Sequence, residues 1–248
     1  MTTRPADPFA MDLAVSTHAG TCRHINSDHC GKLVGSMTAG LIAVADGMAS
    51  TEGAELASER AVASLIRSFR DLARGLQQTE RLVRAVRSAN YEIRELALTV
   101  PRLGGMSTTL TTVTVTEGFM SAAHVGNGRV YLIRDESIVQ LSKDHTLAAE
   151  TGCPDTEGGR LTRQLGPELI ISVDLFEIEL LQRDVVVICT DGLHGVLSDT
   201  QIMALANGAS AATACHKLIE QANLLGTPDN LSVGILAMVG PTPGPTAA

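Results

Sequence analysis

The chain has 248 residues, a formal net charge of −8 and 44% apolar residues, with very few aromatic residues among them. This length fits one large domain or two small ones, and the apolar content suffices for a core of aliphatic side chains. The acidic balance argues against a nucleic-acid binder, and no Lys/Arg cluster indicates a membrane surface.

The cysteines are odd in number and form no C-x-x-C pair; they are Cys22, Cys30, Cys153, Cys189 and Cys215. A disulfide framework is therefore not expected, and this usage favours a reducing, cytoplasmic location. No apolar run reaches the roughly 18 residues of a membrane-spanning helix. The first residues also lack the apolar segment of a signal peptide.

The beginning of the chain shows strand patterns. Residues 1–9 are expected to be a disordered lead-in, and strands are predicted at Met11–Thr17 and Asp28–Val34. A third strand, Gly40–Ala45, is an unbroken apolar run that leads directly into Asp46. Such a run, bounded by a turn signal, is typical of a buried strand.

Two helices are predicted next. Over Glu52–Arg74 and Thr79–Leu98, apolar residues recur at helical spacing with charged residues between them. Thr79 is predicted to cap the second helix. The short connection at residues 75–78 predicts an αα-hairpin that covers whatever sheet lies below it.

Strand patterns dominate the second half of the chain. The predicted strands are Thr108–Thr116, Phe119–Val125, Arg129–Arg134, Ile138–Leu141, Ile170–Ile178, Asp184–Thr190 and Leu231–Val239, and the predicted helices are Ser198–Ala206 and Ala211–Leu224. Because strands and helices do not alternate, this order predicts an α+β fold with antiparallel sheets. We expect a single domain over residues 10–240 and a disordered tail over residues 241–248.

Three aspartates stand at the ends of apolar strands. Asp46-Gly47 and Asp191-Gly192 each follow a buried run, and Asp229 precedes the final strand. Any one Asp-Gly pair alone would ordinarily be a turn without function. Carboxylates at the ends of buried strands need a positive partner, and carboxylate and carbonyl oxygens suit Mg²⁺ and Mn²⁺.

A zinc site is not expected, because the seven histidines show no H-x-x-x-H pairing and the cysteines show no paired spacing. Each histidine is interpreted as a surface or incidental residue. Taken alone, Asp28 would be a solvated or capping carboxylate and Arg23 a surface arginine.

These residues lie in sequence blocks that follow one another in the order of a known family. The blocks are Gly20–Arg23 with Asn26–Asp28, Val44–Met48 followed by Gly53–Ser58, Gly105–Leu110, Ala123–Leu132, Lys143–Thr146, Leu161–Gly166, Cys189–Leu193 and Thr227–Val233. Over about residues 12–239, the chain resembles the metal-dependent protein phosphatases of type 2C in their compact bacterial form.

The resemblance implies a four-layer αββα sandwich, in which two antiparallel sheets are flanked by helix pairs. It also implies two Mn²⁺ or Mg²⁺ ions in a cleft at one edge of the sheets. Asp46 would bridge the two ions, and the carbonyl of Gly47 would bind one of them. Asp191 and Asp229 would bind the other ion.

The resemblance further implies hydrolysis of phosphoserine and phosphothreonine in proteins, opposing a bacterial Ser/Thr kinase. Asp28 looks like the group that orients the attacking water, and Arg23 like the group that grips the substrate phosphate. Arginine suits that role because its planar fork binds two phosphate oxygens at once. Two cations about 3.5–4 Å apart activate a water directly, so no phosphoenzyme is expected. A monomer is expected.

The chain departs from the family pattern in three places. Asn127 stands where the family usually has an aspartate that helps to hold a third, weaker ion, so a third site shared with Asp191 is expected to be weakened. Ala49-Ser50-Thr51 replaces the usual Gly-Gly-His. The flap beside the active site corresponds to residues 147–160. This segment is shorter than is usual in the family, and its glycines indicate a mobile loop.

Two other interpretations stay open. A weakly active pseudophosphatase could bind phosphoproteins or a kinase as a regulatory module, and Asn127 is the residue that supports it. A metal-dependent nuclease fits the carboxylates but not the net charge of −8.

Overall fold

The computed structural model describes residues 10–48, 53–72, 75–152 and 159–240. Its strands are β1 (Ala10–His18), β2 (Asp28–Ser36), β3 (Ala39–Asp46), β4 (Leu110–Thr116), β5 (Phe119–Val125), β6 (Arg129–Arg134), β7 (Ser137–Gln140), β8 (Asp174–Glu179), β9 (Val185–Cys189) and β10 (Leu231–Val239). Its helices are α1 (Ala54–Asp71), α2 (Gln78–Thr99), α3 (Leu147–Thr151), α4 (Asp191–His194), α5 (Asp199–Ala206) and α6 (Ala211–Leu224), with a 3₁₀ turn at Pro101–Leu103. None of the helices in these ranges has the length and apolar character needed to cross a membrane.

The strands form two five-stranded antiparallel sheets, in the orders β1-β10-β9-β6-β7 and β2-β3-β4-β5-β8. Helices α5 and α6 pack against the outer face of the first sheet, and α1 and α2 against the outer face of the second. The two inner faces share a third apolar core. This four-layer αββα arrangement confirms the predicted fold class.

Strand β3 is apolar throughout because both of its faces are covered. Leu41, Ala43 and Ala45 face the layer of α1 and α2, whereas Ile42 and Val44 face the other sheet. Strand β9 is covered in the same way, between α5 and α6 on one side and the second sheet on the other. A strand that is buried on both faces reads as a continuous apolar run, which explains why both strands were recognisable.

Strand pairing brings the ends of distant segments to one edge of the sandwich. Asp28 is the cross-strand partner of Asp46 in the β2–β3 pair. The β1–β10 pair runs from Ala10–Val239 to His18–Leu231 and so places the segment before β10 beside the segment after β1. The first sheet therefore delivers its acidic turn residues to the same edge as the second.

The predicted strand Ile170–Ile178 is wrong at its start. Strand β8 begins at Asp174, which pairs with His124, and Ile170 is 80% exposed. The partner strand β5 ends at Val125, and the chain then turns at Gly126 with a φ of 114°. Beyond Val125, β5 therefore offers no further strand backbone to pair with the residues before Asp174.

The predicted cap at Thr79 is also wrong, because α2 already begins at Gln78, after Gln77, without a side-chain cap. The helix predicted at Glu52–Arg74 is confirmed as α1, although Glu52 and Arg74 themselves lie outside the described residues. The short helices α3 and α4 were not predicted. A segment of four or five residues is too short to show helical periodicity.

Several predictions fall partly or wholly on residues outside the described ranges. These are the lead-in at residues 1–9, the tail at residues 241–248 and Ala49-Ser50-Thr51. Within the flap, α3 ends at Gly152 with a φ of 70°, and residues 153–158 are outside the described ranges. The mobility of the flap and the single domain over residues 10–240 stay predictions.

Candidate metal centre

Asp28 is a buried carboxylate at the start of β2. It is 4% exposed, and the Thr190 hydroxyl donates a hydrogen bond of 2.7 Å to its Oδ2 atom. Its Oδ1 atom is buried without a hydrogen-bond partner among the described residues. A buried carboxylate oxygen is rarely left unsatisfied, so this atom indicates room for a water or an ion.

Asp46 projects from the end of β3, and its backbone is fixed on both sides. Its carbonyl accepts hydrogen bonds from the Thr108 hydroxyl at 2.7 Å and the Thr109 amide at 2.9 Å. Its amide donates to the Thr109 hydroxyl at 3.0 Å. The backbone is satisfied by these contacts, which leaves the carboxylate free to interact with other groups at the sheet edge.

Gly47 follows at the point where the chain passes closest to its neighbours. Its amide donates a 3.0 Å hydrogen bond to the Ser27 carbonyl. A Cβ atom at this position would overlap the Ala54 carbonyl and lie 2.8 Å from the Ser27 carbonyl oxygen. Only glycine fits this approach, which is one reason for an Asp-Gly pair here.

Asp191 is the first residue of α4, directly after β9. The Asn127 side chain donates a 2.8 Å hydrogen bond to its Oδ2 atom, and the ring of His194 donates one of 3.0 Å to the Asn127 carbonyl. Asn127 therefore contacts the predicted metal ligand through a neutral amide.

Asp229 and Arg23 meet on the open side of the site. The Arg23 guanidinium donates to the Asp229 carboxylate at 3.2 Å, and the two side chains are 46% and 41% exposed. The other carboxylate oxygen of Asp229 accepts the Asn230 amide at 2.9 Å. The predicted phosphate-binding residue and a predicted metal ligand are thus direct neighbours.

The carboxylates repel one another in the absence of cations. Burial raises the pKa of Asp28 to about 7. Burial also raises the pKa of Asp46 well above its usual range, and the charges of Asp28, Asp191 and Asp229 raise it further. Burial raises the pKa of Asp191 as well. Added positive charge would reverse these shifts, as it does at metal sites.

The donor set fits hard divalent cations. It consists of carboxylates and the Gly47 carbonyl, which are the ligand types that Mg²⁺ and Mn²⁺ prefer. In the described part of the chain, no three His, Cys, Asp or Glu side chains are already arranged to hold an ion by themselves. The Gly47 carbonyl and water would therefore have to complete the ligand shell around the carboxylates.

An open cavity of about 220 Å³ adjoins this edge. It is lined by Asp191, Gly192, Gly195, Val196, Thr227, Pro228 and Asp229. Two of the predicted metal ligands therefore face a space that can admit a substrate group.

The interpretation of every histidine as a surface or incidental residue is wrong for His124 and His145. Both are fully buried, and their rings contact each other at a tilt of 39°, with centroids 4.7 Å apart. His145 also lies 3.0 Å from the Asp174 carboxylate and accepts the Gly126 amide at 3.1 Å. His194 contacts Asn127, as described above, so it is not incidental either.

Three threonines that hold the site were missed in the sequence. Thr108 and Thr109 fix the Asp46 backbone, and Thr190 donates to Asp28. Thr190 stands directly before Asp191, and Thr108 and Thr109 lie within one of the recognised blocks. That proximity was the available signal, but only the folded pairing shows which atoms meet.

Two stacked antiparallel sheets with an acidic edge suited to divalent cations define a class of metal-dependent enzyme. A profile of the family described as protein phosphatase 2C matches residues 22–225. The chain therefore belongs to the protein phosphatase 2C family, and the predicted resemblance is confirmed.

The relatives agree along most of their length. The serine/threonine phosphatase stp of Listeria monocytogenes is 29% identical over 237 residues, which are 90% of this chain and 94% of the relative. The crystal structure of the Mycobacterium tuberculosis serine/threonine phosphatase PstP/Ppp matches with a TM-score of 0.82 and 28% identity, over 93% of this chain and 99% of that one. A structure of the PstP catalytic domain in complex with two manganese ions matches with a TM-score of 0.81 and 30% identity, over 93% and 99% of the two chains.

Proposed function

We propose that this chain hydrolyses phosphoserine and phosphothreonine monoesters in proteins, with Mn²⁺ or Mg²⁺ as the required ions. The observation that carries the proposal is the shared edge of Asp28, Asp46 and Asp191. Asp28 is buried and Asp46 and Asp191 are half-buried, and none of the three has an ion pair with an arginine or lysine among the described residues. Family membership and a manganese-bound relative support the same conclusion.

The residues divide the reaction between them. Asp46, the Gly47 carbonyl, Asp191 and Asp229 would hold two ions, which when bound acidify a water and neutralise the phosphate charge. Asp28 faces the same edge with one unsatisfied oxygen and is suited to orient the attacking water.

Substrate binding is assigned to the exposed side of the site. Arg23 presents a guanidinium there, which matches the nearly doubly charged phosphate monoester. A third ion beside Asp191 is expected to bind weakly, because Asn127 supplies no charge. The amide of Asn127 already uses a carboxylate oxygen of Asp191.

The partners follow from the same chemistry. We propose phosphorylated proteins as substrates, a Ser/Thr kinase as the opposing enzyme, and a monomer that acts in the cytoplasm. The free thiols of Cys22, Cys30, Cys189 and Cys215 are consistent with a reducing compartment.

The test is a phosphatase assay with p-nitrophenyl phosphate and with matched phosphoserine, phosphothreonine and phosphotyrosine peptides. We expect turnover with Mn²⁺, its loss in EDTA, and its loss in Asp191→Ala. The exposed Asp199, at the start of α5, offers a control: Asp199→Ala should retain activity. If wild type and Asp191→Ala were equally inactive with Mn²⁺ but bound phosphopeptides, the pseudophosphatase interpretation would replace this one.

A further inference from the structure

The loop that carries Arg23 has little packing of its own. It connects β1 to β2 over residues 19–27, and residues 21–25 are all exposed. A loop outside the sheet ladders must find other partners for its backbone groups. The position of Arg23 therefore depends on contacts at the two ends of the loop.

One side chain supplies three of those contacts. Asn230 is 5% exposed, and its Nδ2 atom donates hydrogen bonds of 2.9 Å to the carbonyls of both Ala19 and Ile25. Its Oδ1 atom accepts the Ser27 amide at 2.8 Å. The side-chain amide of Asn230 thus uses its two N–H donors and its oxygen to bind three backbone groups, which lie on both sides of Arg23 in the chain.

Other contacts fix the loop against the same turn. The Thr21 hydroxyl donates to the Thr227 carbonyl at 3.3 Å, and a Cβ atom on Gly20 would overlap the Asp229 carbonyl. Gly20 has a φ of 79°, which glycine adopts without strain. The turn that presents Asp229 is thus also the surface on which the Arg23 loop rests.

We propose that Asn230 is a positioning residue, which holds the loop at residues 19–27 so that Arg23 faces the phosphate of the substrate. This inference rests on the proposed function for the role of Arg23. Holding the loop before substrate arrives removes the entropy cost of ordering it during binding. Loss of Asn230 should therefore weaken phosphoester binding more than it slows the chemical step.

The chain contains a matched control for Asn230. Asn90 in α2 is 1% exposed, donates to the carbonyls of Glu168 and Leu169 at 2.9 and 3.4 Å, and accepts the Gly166 amide at 2.8 Å. The two asparagines make the same three kinds of hydrogen bond, but Asn90 holds a different loop. Asn90→Ala therefore reproduces the loss of a buried clamp without touching the Arg23 loop.

Hydrogen exchange measured by mass spectrometry tests the clamp without any assay of activity. In Asn230→Ala, the hydrogen-bonded amides within residues 19–28, above all that of Ser27, should exchange at least about tenfold faster, because the removed bonds total more than 1.4 kcal/mol. In Asn90→Ala these amides should exchange as in wild type, while those at residues 166–169 accelerate. Unchanged exchange at residues 19–28 in Asn230→Ala would overturn the proposal.

A second variant covers the case in which Asn230→Ala fails to fold. Asn230→Asp has the same shape and keeps the oxygen that accepts the Ser27 amide, but it replaces the donor nitrogen by an acceptor. Faster exchange at residues 19–28 is expected here too. Normal exchange in a folded Asn230→Asp would contradict the clamp.

Kinetics then test the link to Arg23. With a phosphothreonine peptide and saturating Mn²⁺, Asn230→Ala should raise KM about fivefold to tenfold, with a smaller fall in kcat. On an Arg23→Ala background the same substitution should add almost nothing, because both act on one contact. Additive effects, or a loss of Mn²⁺ affinity in calorimetry that matches the loss of activity, would overturn the positioning role.

The two proposals fail in different ways. If Arg23→Ala alone left KM unchanged, the phosphate-binding role of Arg23 in the proposed function would be wrong. The exchange measurement would still report whether Asn230 holds the loop, since it needs no substrate.

Discussion

Two sets of buried and half-buried aspartates in this protein have opposite surroundings. In the first set, each carboxylate has an arginine partner; the pairs are Arg129–Asp144 at 2.8 Å, Arg134–Asp184 at 2.6 Å and Arg163–Asp174 at 2.6 Å. Burial alone would raise the pKa of Asp174, but hydrogen bonds from His145 and Arg163 outweigh it, and the net shift is downward. These carboxylates find their partners within the chain itself.

In the second set, Asp28, Asp46 and Asp191 share the metal edge and have only neutral donors or one another. Their pKa values are all raised, with burial as the largest cause. The fold thus completes the first set internally and leaves the second to be completed from outside. Carboxylates that lack a positive partner destabilise the fold. Their presence at one edge therefore indicates a site that binds a cationic ligand.

Among changes to the second set, Asp46→Asn should have the largest effect on activity. We expect phosphatase activity to fall by at least about 10²–10³-fold, since the substitution removes the charge that we propose holds both ions. The metal-free variant should be as stable as wild type or more stable, because a repelling charge has been removed. Activity and urea unfolding in EDTA measure the two effects, and a destabilised but active variant would contradict the assignment.

Arg134→Met should disrupt the first set with the opposite result, which is a loss of stability without a loss of activity. Asp184 is 1% exposed and would lose the guanidinium that holds its charge. We expect a loss of about 2–4 kcal/mol in the free energy of unfolding, with Mn²⁺ affinity and kcat/KM close to wild type. Equal stability in urea denaturation would show that this pair is not the support that its geometry indicates.

The pH dependence of the metal-free protein should sharpen the comparison. The folded pKa of Asp28, about 7, lies above its ordinary value of 3.8. The stability that protonated Asp28 contributes is therefore fully present below pH 3.8 and is lost as the pH rises through about 7. We expect the free energy of unfolding, measured by urea in EDTA, to fall by up to about 4 kcal/mol over this window because of Asp28, since each pKa unit corresponds to about 1.4 kcal/mol.

Two comparisons separate this effect from other titrations. Mn²⁺ should remove the fall, because the ions favour the charged carboxylates. Asp28→Asn should flatten the curve in EDTA. If Asp28→Asn left the pH dependence of the metal-free protein intact, the raised pKa would have no energetic consequence.

Asn127→Asp should change activity least among these variants, because it only replaces a neutral amide beside Asp191 by a carboxylate. Its carboxylate would face Asp191, and the repulsion should be relieved by a further weakly held ion. We expect the activity against Mn²⁺ concentration to change, with roughly a threefold shift in the half-saturating concentration. An unchanged curve would refute the idea that Asn127 weakens a third site.

The sequence predicted the second set of aspartates better than the first. Asp46 and Asp191 follow strands buried on both faces, and such strands read as apolar runs without any knowledge of the fold. The partners in the first set lie far apart in sequence, such as Arg134 and Asp184, and only the register of β6 against β9 brings them together. No local pattern encodes that register.

The errors have the same origin. The start of β8 depends on where β5 stops, and the burial of His124 depends on which strand lies next to it. Thr79 is a residue type that often caps helices, but α2 already includes Gln78, whose side chain donates to the Thr114 carbonyl at 2.9 Å. Local propensity was outweighed in each case by a contact from elsewhere in the chain.

The pairing of β1 with β10 has a consequence for the order of folding. Asp28 and Asp46 come together through a hairpin of neighbouring strands, which requires closing only a short loop. Asp229 and the support of the Arg23 loop arrive only when the last strand docks beside the first, across more than two hundred residues. Closing such a distance is a slow, late event. A partly folded chain therefore lacks a complete active site, and the competence to remove phosphate from other proteins begins only when the two ends of the fold have met.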